Sequence, residues 1–92
     1  MKIYEKTFVP VTVMFTERGD IVPVSIHWED GTIFSIDKVL DVRPSHALKT
    51  SGQGDRYTIS INGRETYLFF ERDAVSSGAS FGKWFVEKHI EL

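Results

Sequence analysis

The sequence contains no cysteine, and this absence excludes several kinds of chemistry. Without thiols the chain can form no disulfide, thiolate nucleophile or cysteine-type zinc site. Long apolar runs are also missing, since none approaches the ~18 residues that a membrane-spanning helix needs. No small-residue cleavage site follows the apolar part of the N-terminal segment, so we expect no signal peptide. These absences predict a cytoplasmic protein with no membrane partner.

An excess of positive charge is missing as well. Lysine and arginine total 11 against 13 aspartate and glutamate residues, which gives a net charge of -2 at neutral pH. This balance argues against a surface coated in positive charge for nucleic acid, but it allows a local basic patch. The 92 residues are 41% apolar and 26% charged, a composition typical of a folded chain. We predict one domain that spans residues 1–92.

Period-two alternation of apolar and polar residues dominates the chain and predicts β-strands. In the segment IVPVSIHW, the alternation places Val22, Val24, Ile26 and Trp28 on one face and His27 on the other. Trp28 is therefore predicted to be a core residue. No helical stripe of convincing length interrupts the pattern. We predict an all-β fold of about six or seven short strands in mostly meander order. It would form a small antiparallel barrel or two-layer sandwich of the SH3-like kind.

Turn signals separate the alternating runs. Asp30-Gly31 and Asn62-Gly63 both predict two-residue type I′ hairpins, in which both central residues have positive φ. A further turn is predicted at Glu17–Asp20, with glycine supplying the positive φ. Residues 43–56 form the least regular segment, and its small, polar and glycine-rich centre, Thr50–Asp55, is predicted to be a mobile loop. Residues 73–82 are predicted to be a second loop.

Motifs that carry catalytic or cofactor chemistry are absent. No serine lies in a G-x-S-x-G elbow, and SGQGDR leads into a strand where a nucleotide loop would open a helix. The three histidines match no compact metal-ligand spacing. We therefore expect a non-enzymatic protein with no cofactor, metal or small-molecule ligand. The weakest alternative is a small hydrolase or metal-binding protein built around His27, Glu29 and His46.

Some strands carry apolar residues on both faces, and this surplus favours an interaction function. Phe8 and Met14 lie opposite a row of valines, and Tyr67 and Phe69 alternate with a second pair of apolar residues. A sheet that faces water on one side needs only one apolar face. The leading hypothesis is therefore a β-barrel module for protein–protein interaction or self-association, with a protein partner or a homo-oligomer.

The alternative hypothesis is a nucleic-acid-binding accessory domain that uses a mildly basic region at residues 38–64. Arginine supplies planar hydrogen bonding to phosphate, lysine a point charge, and tyrosine a face for stacking bases. The candidate contact residues, for nucleic acid or another partner, are Arg43, Lys49, Arg56, Arg64, Tyr57 and Tyr67.

The segments WEDGTIFSIDKVLDVR, GDRYTISI, YLFFE and KWFVE together resemble small uncharacterised bacterial all-β domains. Those domains share a W/F-x-x-G-x-x-(Y/F)-x-I-x-x-V-x-x-x-R core and a later R-Y strand. The likeness runs from about Trp28 to Glu87 and consists of turn glycines, apolar core positions and one strand-end arginine. It implies a compact β domain and carries no activity or catalytic residue.

Overall fold

The computed structural model describes residues 2–45, 54–77 and 80–91, and within these ranges the chain forms eight β-strands and no helix. The strands are β1 (Lys2–Phe8), β2 (Val11–Phe15), β3 (Ile21–His27), β4 (Ile33–Ser35), β5 (Lys38–Ser45), β6 (Gly54–Ile61), β7 (Arg64–Ser77) and β8 (Ser80–Glu91). The all-β prediction is confirmed. The described residues contain no helix with the length and hydropathy of a membrane span.

The strands pair into two antiparallel sheets. The larger sheet has the order β1-β8-β7-β6-β5, and the smaller has the order β2-β3-β4. Consecutive strands are neighbours within each sheet, except that β1 pairs with β8 from the far end of the chain. Among the described strands the pairing does not close into a barrel, so the predicted SH3-like barrel is not confirmed.

The two sheets are joined where the chain passes directly from one to the other. The amide of Val9 donates to the carbonyl of Trp84 at 3.0 Å in the larger sheet, and the next carbonyl, that of Pro10, accepts from His27 at 2.9 Å in the smaller. The second junction is similar, with Ile36 bonded to the smaller sheet and Asp37 to the larger. Proline suits the first junction because it has no amide proton to place in either ladder.

The main core lies between the sheets. Val9, Ile26, Tyr57, Ile59, Leu68, Phe70 and Trp84 are its buried members. Partly buried residues, among them Trp28 and Ile36, pack against this cluster. The Tyr57 hydroxyl also donates to the Ile21 carbonyl at 3.2 Å, which links β6 to β3 across the core. Burial of these side chains is the main stabilising term that the two layers provide.

A β-bulge in β3 corrects the predicted face of that strand. Thr12 lies opposite Ser25, but the next residue of β2, Val13, lies opposite Pro23. The extra residue, Val24, is 43% exposed, while Pro23 is buried. A bulge places two residues opposite one and so reverses the alternation beyond it. The prediction that Val22 and Val24 share the core face is therefore wrong, and Pro23 is buried in their place. Trp28 is partly buried and packs against the core, on the face predicted for it.

One of the two predicted type I′ turns is confirmed, and the other has a different geometry. Asn62 and Gly63 have φ values of 51° and 77°, which confirms a two-residue hairpin with positive φ at both central positions. At the other turn only Gly31 has positive φ, and the Trp28 amide donates to the Thr32 carbonyl at 2.7 Å. This connection is a three-residue loop, so the predicted type I′ turn at Asp30-Gly31 is wrong.

Strands extend into both predicted loops, whose remaining residues, 50–53 and 78–79, lie outside the described residues. In the first, β5 continues to Ser45 and β6 begins at Gly54, with Pro44 opposite Asp55. In the second, β7 continues to Ser77 and β8 begins at Ser80. A ladder depends on backbone groups, so polar and glycine-rich segments can pair when a neighbouring strand holds them in register.

Candidate functional site

The outward face of the larger sheet carries a row of side chains that crosses all five strands. Phe8 lies opposite Phe85, Phe85 opposite Phe69, Phe69 opposite Arg56, and Arg56 opposite Arg43. Directly opposite residues of antiparallel strands point to the same side of a sheet. We call this surface the aromatic face, and it comprises Lys6, Phe8, Arg43, Arg56, Tyr67, Phe69, Glu71, Lys83 and Phe85.

The centre of the aromatic face is a stacked pair of phenylalanines. The rings of Phe69 and Phe85 lie 4.9 Å apart at an interplanar angle of 6°, and each residue is 3% exposed. The Lys6 side chain covers them, since its Nζ lies 4.6 Å from the Phe85 centroid and 2.9 Å from Glu71 Oε1. An ion pair thus crosses above two rings that face away from the main core.

Two half-exposed aromatic residues flank this buried pair. Phe8 is 50% exposed and meets Phe85 edge-on, with ring centroids 5.8 Å apart. Tyr67 is 48% exposed, and its ring lies 6.5 Å from that of Phe69. The aromatic face therefore presents ring surface to solvent on both sides of its centre, where a partner can contact it.

Arg56 makes a cation–π contact with Tyr67. Its guanidinium carbon lies 4.6 Å from the Tyr67 centroid, and its Nε is buried without a hydrogen-bond partner. Arg43, directly opposite, pairs with Asp41 through Nε at 2.6 Å. Within the described residues Arg56 forms no ion pair, so its remaining donors are the ones available for an incoming acceptor.

The structure brings together three of the predicted contact residues, Arg43, Arg56 and Tyr67. Arg64 lies elsewhere, beside the β6–β7 turn, and Lys49 lies outside the described residues.

Tyr57 is a correction to the predicted set. It is 6% exposed, packs against Trp84 in the main core, and has a pKa raised above 10.0 chiefly by burial. Its ring therefore has no free face for a base, and its role is to pack between the sheets.

The residues of the hydrolase or metal alternative do not gather in the described part of the chain. His27 Nε2 lies 3.1 Å from Thr12 Oγ1 on the smaller sheet, Glu29 is exposed in the turn, and His46 lies outside the described residues. In the described ranges no three histidine or carboxylate side chains are placed to share a metal ion. The Asp30 pKa is lowered mainly by its hydrogen bond to Thr32, which indicates a turn-stabilising role.

Sequence reasoning missed Lys6, Lys83 and Phe85 as members of this surface. The available signal was the alternation in KWFVE, which puts Phe85 on the other face of its strand from Trp84. Their convergence depends on β1 pairing with β8, and no local pattern specifies a contact between the two ends of a chain.

The comparisons add no relative. No family model, curated protein or solved structure matches this chain. The resemblance to small bacterial all-β domains therefore stays a prediction, and any functional proposal depends on the geometry of the surface itself.

Proposed function

We propose that the protein is a non-enzymatic interaction module that binds a protein partner, or a second copy of itself, through the aromatic face. One observation carries the proposal: Phe8 and Tyr67 are half exposed on either side of a buried aromatic centre, with Arg56 lying over the Tyr67 ring. Aromatic residues and arginine supply most of the binding energy at protein interfaces, where rigid rings lose little conformational entropy.

The charges of the outward face support a protein partner over a polyanion. Among the residues whose side chains the structure describes, strand register puts the cations Lys6, Lys38, Arg43, Arg56 and Lys83 and the acids Asp41, Glu65, Glu71 and Glu87 on this side. Two of these cations are already neutralised in ion pairs on the face. A nearly balanced surface gives weak attraction to phosphates but suits an interface in which local charges match a partner's.

Binding of single-stranded nucleic acid is the second candidate, and one observation favours it. Arg43 and Arg56 lie directly opposite each other, and Arg56 lies over the half-exposed ring of Tyr67. Cations next to stacking rings are how proteins bind single strands without sequence preference.

The protein-interaction proposal is tested by comparing three forms of the protein: the wild type, a Phe8→Ser/Tyr67→Ser double variant and an Ile33→Ser control. Ile33 is 59% exposed on the smaller sheet, so its replacement removes exposed apolar surface away from the aromatic face. Affinity capture from the native host and sedimentation at rising concentration should show a partner or a dimer for the wild type and the control. Loss of that complex in the double variant supports the aromatic face. Equal binding by all three forms contradicts it.

The nucleic-acid candidate is tested by fluorescence anisotropy with labelled oligodeoxythymidine over a salt series. Arg56→Gln should weaken binding and flatten the salt dependence, because each phosphate contact releases counterions. Absence of binding at low salt removes this candidate and leaves protein interaction standing.

A further inference from the structure

Strands β7 and β8 separate beyond the stacked phenylalanine pair. Their regular pairing runs from Phe69 opposite Phe85 to Arg72 opposite Gly82. On the other side of that pair, residues 64–68 of β7 pair with β6, and residues 86–91 of β8 pair with β1. Among the described strands, nothing pairs with the edges that these two segments turn towards each other. The larger sheet therefore contains a gap.

Hydrogen-bonding groups line this gap. The Trp84 carbonyl accepts from Val9, so the backbone groups of Trp84 face β1. Backbone direction alternates along an antiparallel strand, so the groups of Glu87 and His89 face away from β1 and into the gap. On β7, the backbone groups of Phe69 face its partner Phe85 on β8. By the same alternation, the backbone groups of Glu65 and Tyr67 face the gap from the other side. Such unpaired edge groups are a template for an additional strand.

The bottom of the gap is apolar and belongs to both sheets. A cleft of about 830 Å³ opens there, within the size range of sites that hold a ligand. Ile26, Trp28 and Phe34 of the smaller sheet and its flanking turn, together with Ile61 and Val86 of the larger sheet, supply its apolar lining. An apolar side chain that points inward from the gap would rest on these groups.

The outward rim of the gap carries two carboxylates. Glu65 and Glu87 point to the same side as Phe69 and Phe85, one from each wall. Within the described residues neither forms an ion pair. Arg64, the cation among the lining residues, lies at the hairpin end beside Asn62. An outward-pointing lysine or arginine of an occupant would lie between the two acids, so the rim favours a basic partner.

We propose that this gap binds an extended segment of a partner protein in which apolar and basic residues alternate. The segment adds to the free edge of β8 through the backbone groups of Glu87 and His89. Its apolar side chains enter the cleft above Trp28, and its basic side chains lie between Glu65 and Glu87. Main-chain bonds then give affinity, and alternate side chains give specificity. The inference rests on the proposed protein-interaction function and names the chemical class of the partner.

The test uses the full-length ¹⁵N-labelled protein and a synthetic peptide, acetyl-Lys-Val-Lys-Val-Lys-Val-amide. Saturating peptide should shift the amide resonances of Glu87 and His89 and slow their hydrogen exchange by about tenfold or more, because they gain acceptors. The amides of Val86 and Lys88, already turned towards β1, serve as internal controls and should change less. The spectra also show directly that the protein remains folded.

Two control peptides separate the parts of the inference. A version N-methylated at alternate residues loses backbone donors and should bind about tenfold more weakly, a loss of about 1.4 kcal/mol. A Glu-Val version of the peptide should also bind more weakly than the Lys-Val peptide. In a Glu65→Gln/Glu87→Gln variant of the protein, the difference in affinity between these two peptides should become smaller. No shift with millimolar Lys-Val peptide, or equal binding of all three peptides, overturns the inference. The proposed function fails separately, through the Phe8→Ser/Tyr67→Ser comparison, because these substitutions change side chains of the aromatic face and keep the backbone groups of residue 67 that line the gap.

Discussion

The two faces of β7 bury neighbouring residues of the same type in different ways. Phe70 is 5% exposed and lies in the main core, where the smaller sheet covers it. Phe69 is 3% exposed but lies on the aromatic face, where its covering consists of side chains from its own sheet. The low exposure of Phe70 therefore depends on the second sheet, whereas that of Phe69 depends only on side chains of its own sheet.

This difference determines how each face responds to change. The smaller sheet is fixed by its own ladder, so a space left beneath it stays partly empty. The covering over Phe69 and Phe85 comes from the Lys6–Glu71 ion pair and the half-exposed Phe8 and Tyr67, whose side chains can shift. A surface that can rearrange in this way suits binding, because a partner can replace the covering without disturbing the fold.

The largest expected effect is a loss of stability that differs between the core face and the aromatic face of β7. Phe70→Ala should lower the free energy of unfolding by about 3–5 kcal/mol, the range for a buried phenylalanine in a core that relaxes little. Phe69→Ala should cost less, about 1–3 kcal/mol, because the surrounding side chains can move into the space. Urea denaturation of both variants measures the difference. Equal losses would show that the aromatic face is packed as rigidly as the core.

A smaller effect concerns the link between the two sheets. Tyr57→Phe removes the hydrogen bond to the Ile21 carbonyl and should cost about 1 kcal/mol at neutral pH. Tyr67→Phe is the matched control on the aromatic face and should change stability little, since Tyr67 is half exposed. Thermal or urea denaturation of the two variants gives the comparison. A larger loss for Tyr67→Phe would contradict the assignment of Tyr57 to the core.

The same tyrosine predicts a pH dependence. Burial raises the Tyr57 pKa above 10.0, so the neutral phenol is favoured in the folded state. Its contribution to stability is complete below pH 10 and is lost as the pH rises through that value towards the folded-state pKa. The wild type should therefore lose stability more steeply than Tyr57→Phe above pH 10. Parallel alkaline curves for the two proteins would disprove this.

The smallest effect is expected for the ion pair that covers the phenylalanine rings. Lys6 and Glu71 are partly exposed, and a double-mutant cycle with Lys6→Met and Glu71→Gln should give a coupling of about 1 kcal/mol or less. High salt should reduce the coupling further because the pair is accessible to ions. A coupling of several kcal/mol would mean that the pair fixes the face and does not act as a movable covering.

Local patterns predicted much of the fold. The Asn62-Gly63 hairpin follows from the positive φ that both residues tolerate, and alternation separated Leu68 and Phe70 from Tyr67 and Phe69 correctly. The bulge at Val24 was missed, although Pro23 beside it gave a signal, because proline inside a strand is confined to edges and bulges. Strand ends were also missed because polar residues pair whenever a neighbour holds their backbone.

The candidate site was predictable only in pieces. Arg56 and Tyr67 were identified from residue type, yet the surface they belong to depends on the β1–β8 pairing, which joins Phe8 to Phe85. Tyr57 was misplaced because alternation shows which residues share a face and does not show which face is covered. Register between distant strands is a property of the whole fold.

Site-specific photocrosslinking tests the central claim, that the aromatic face is the binding surface, most directly. The crosslinker p-benzoylphenylalanine would replace Tyr67 in one variant and Met14 in another, residues that are 48% and 53% exposed on different sheets. We expect a covalent adduct, with a partner or a second copy, from position 67 and little from position 14. Adducts formed equally from both positions, or from position 14 alone, would contradict it.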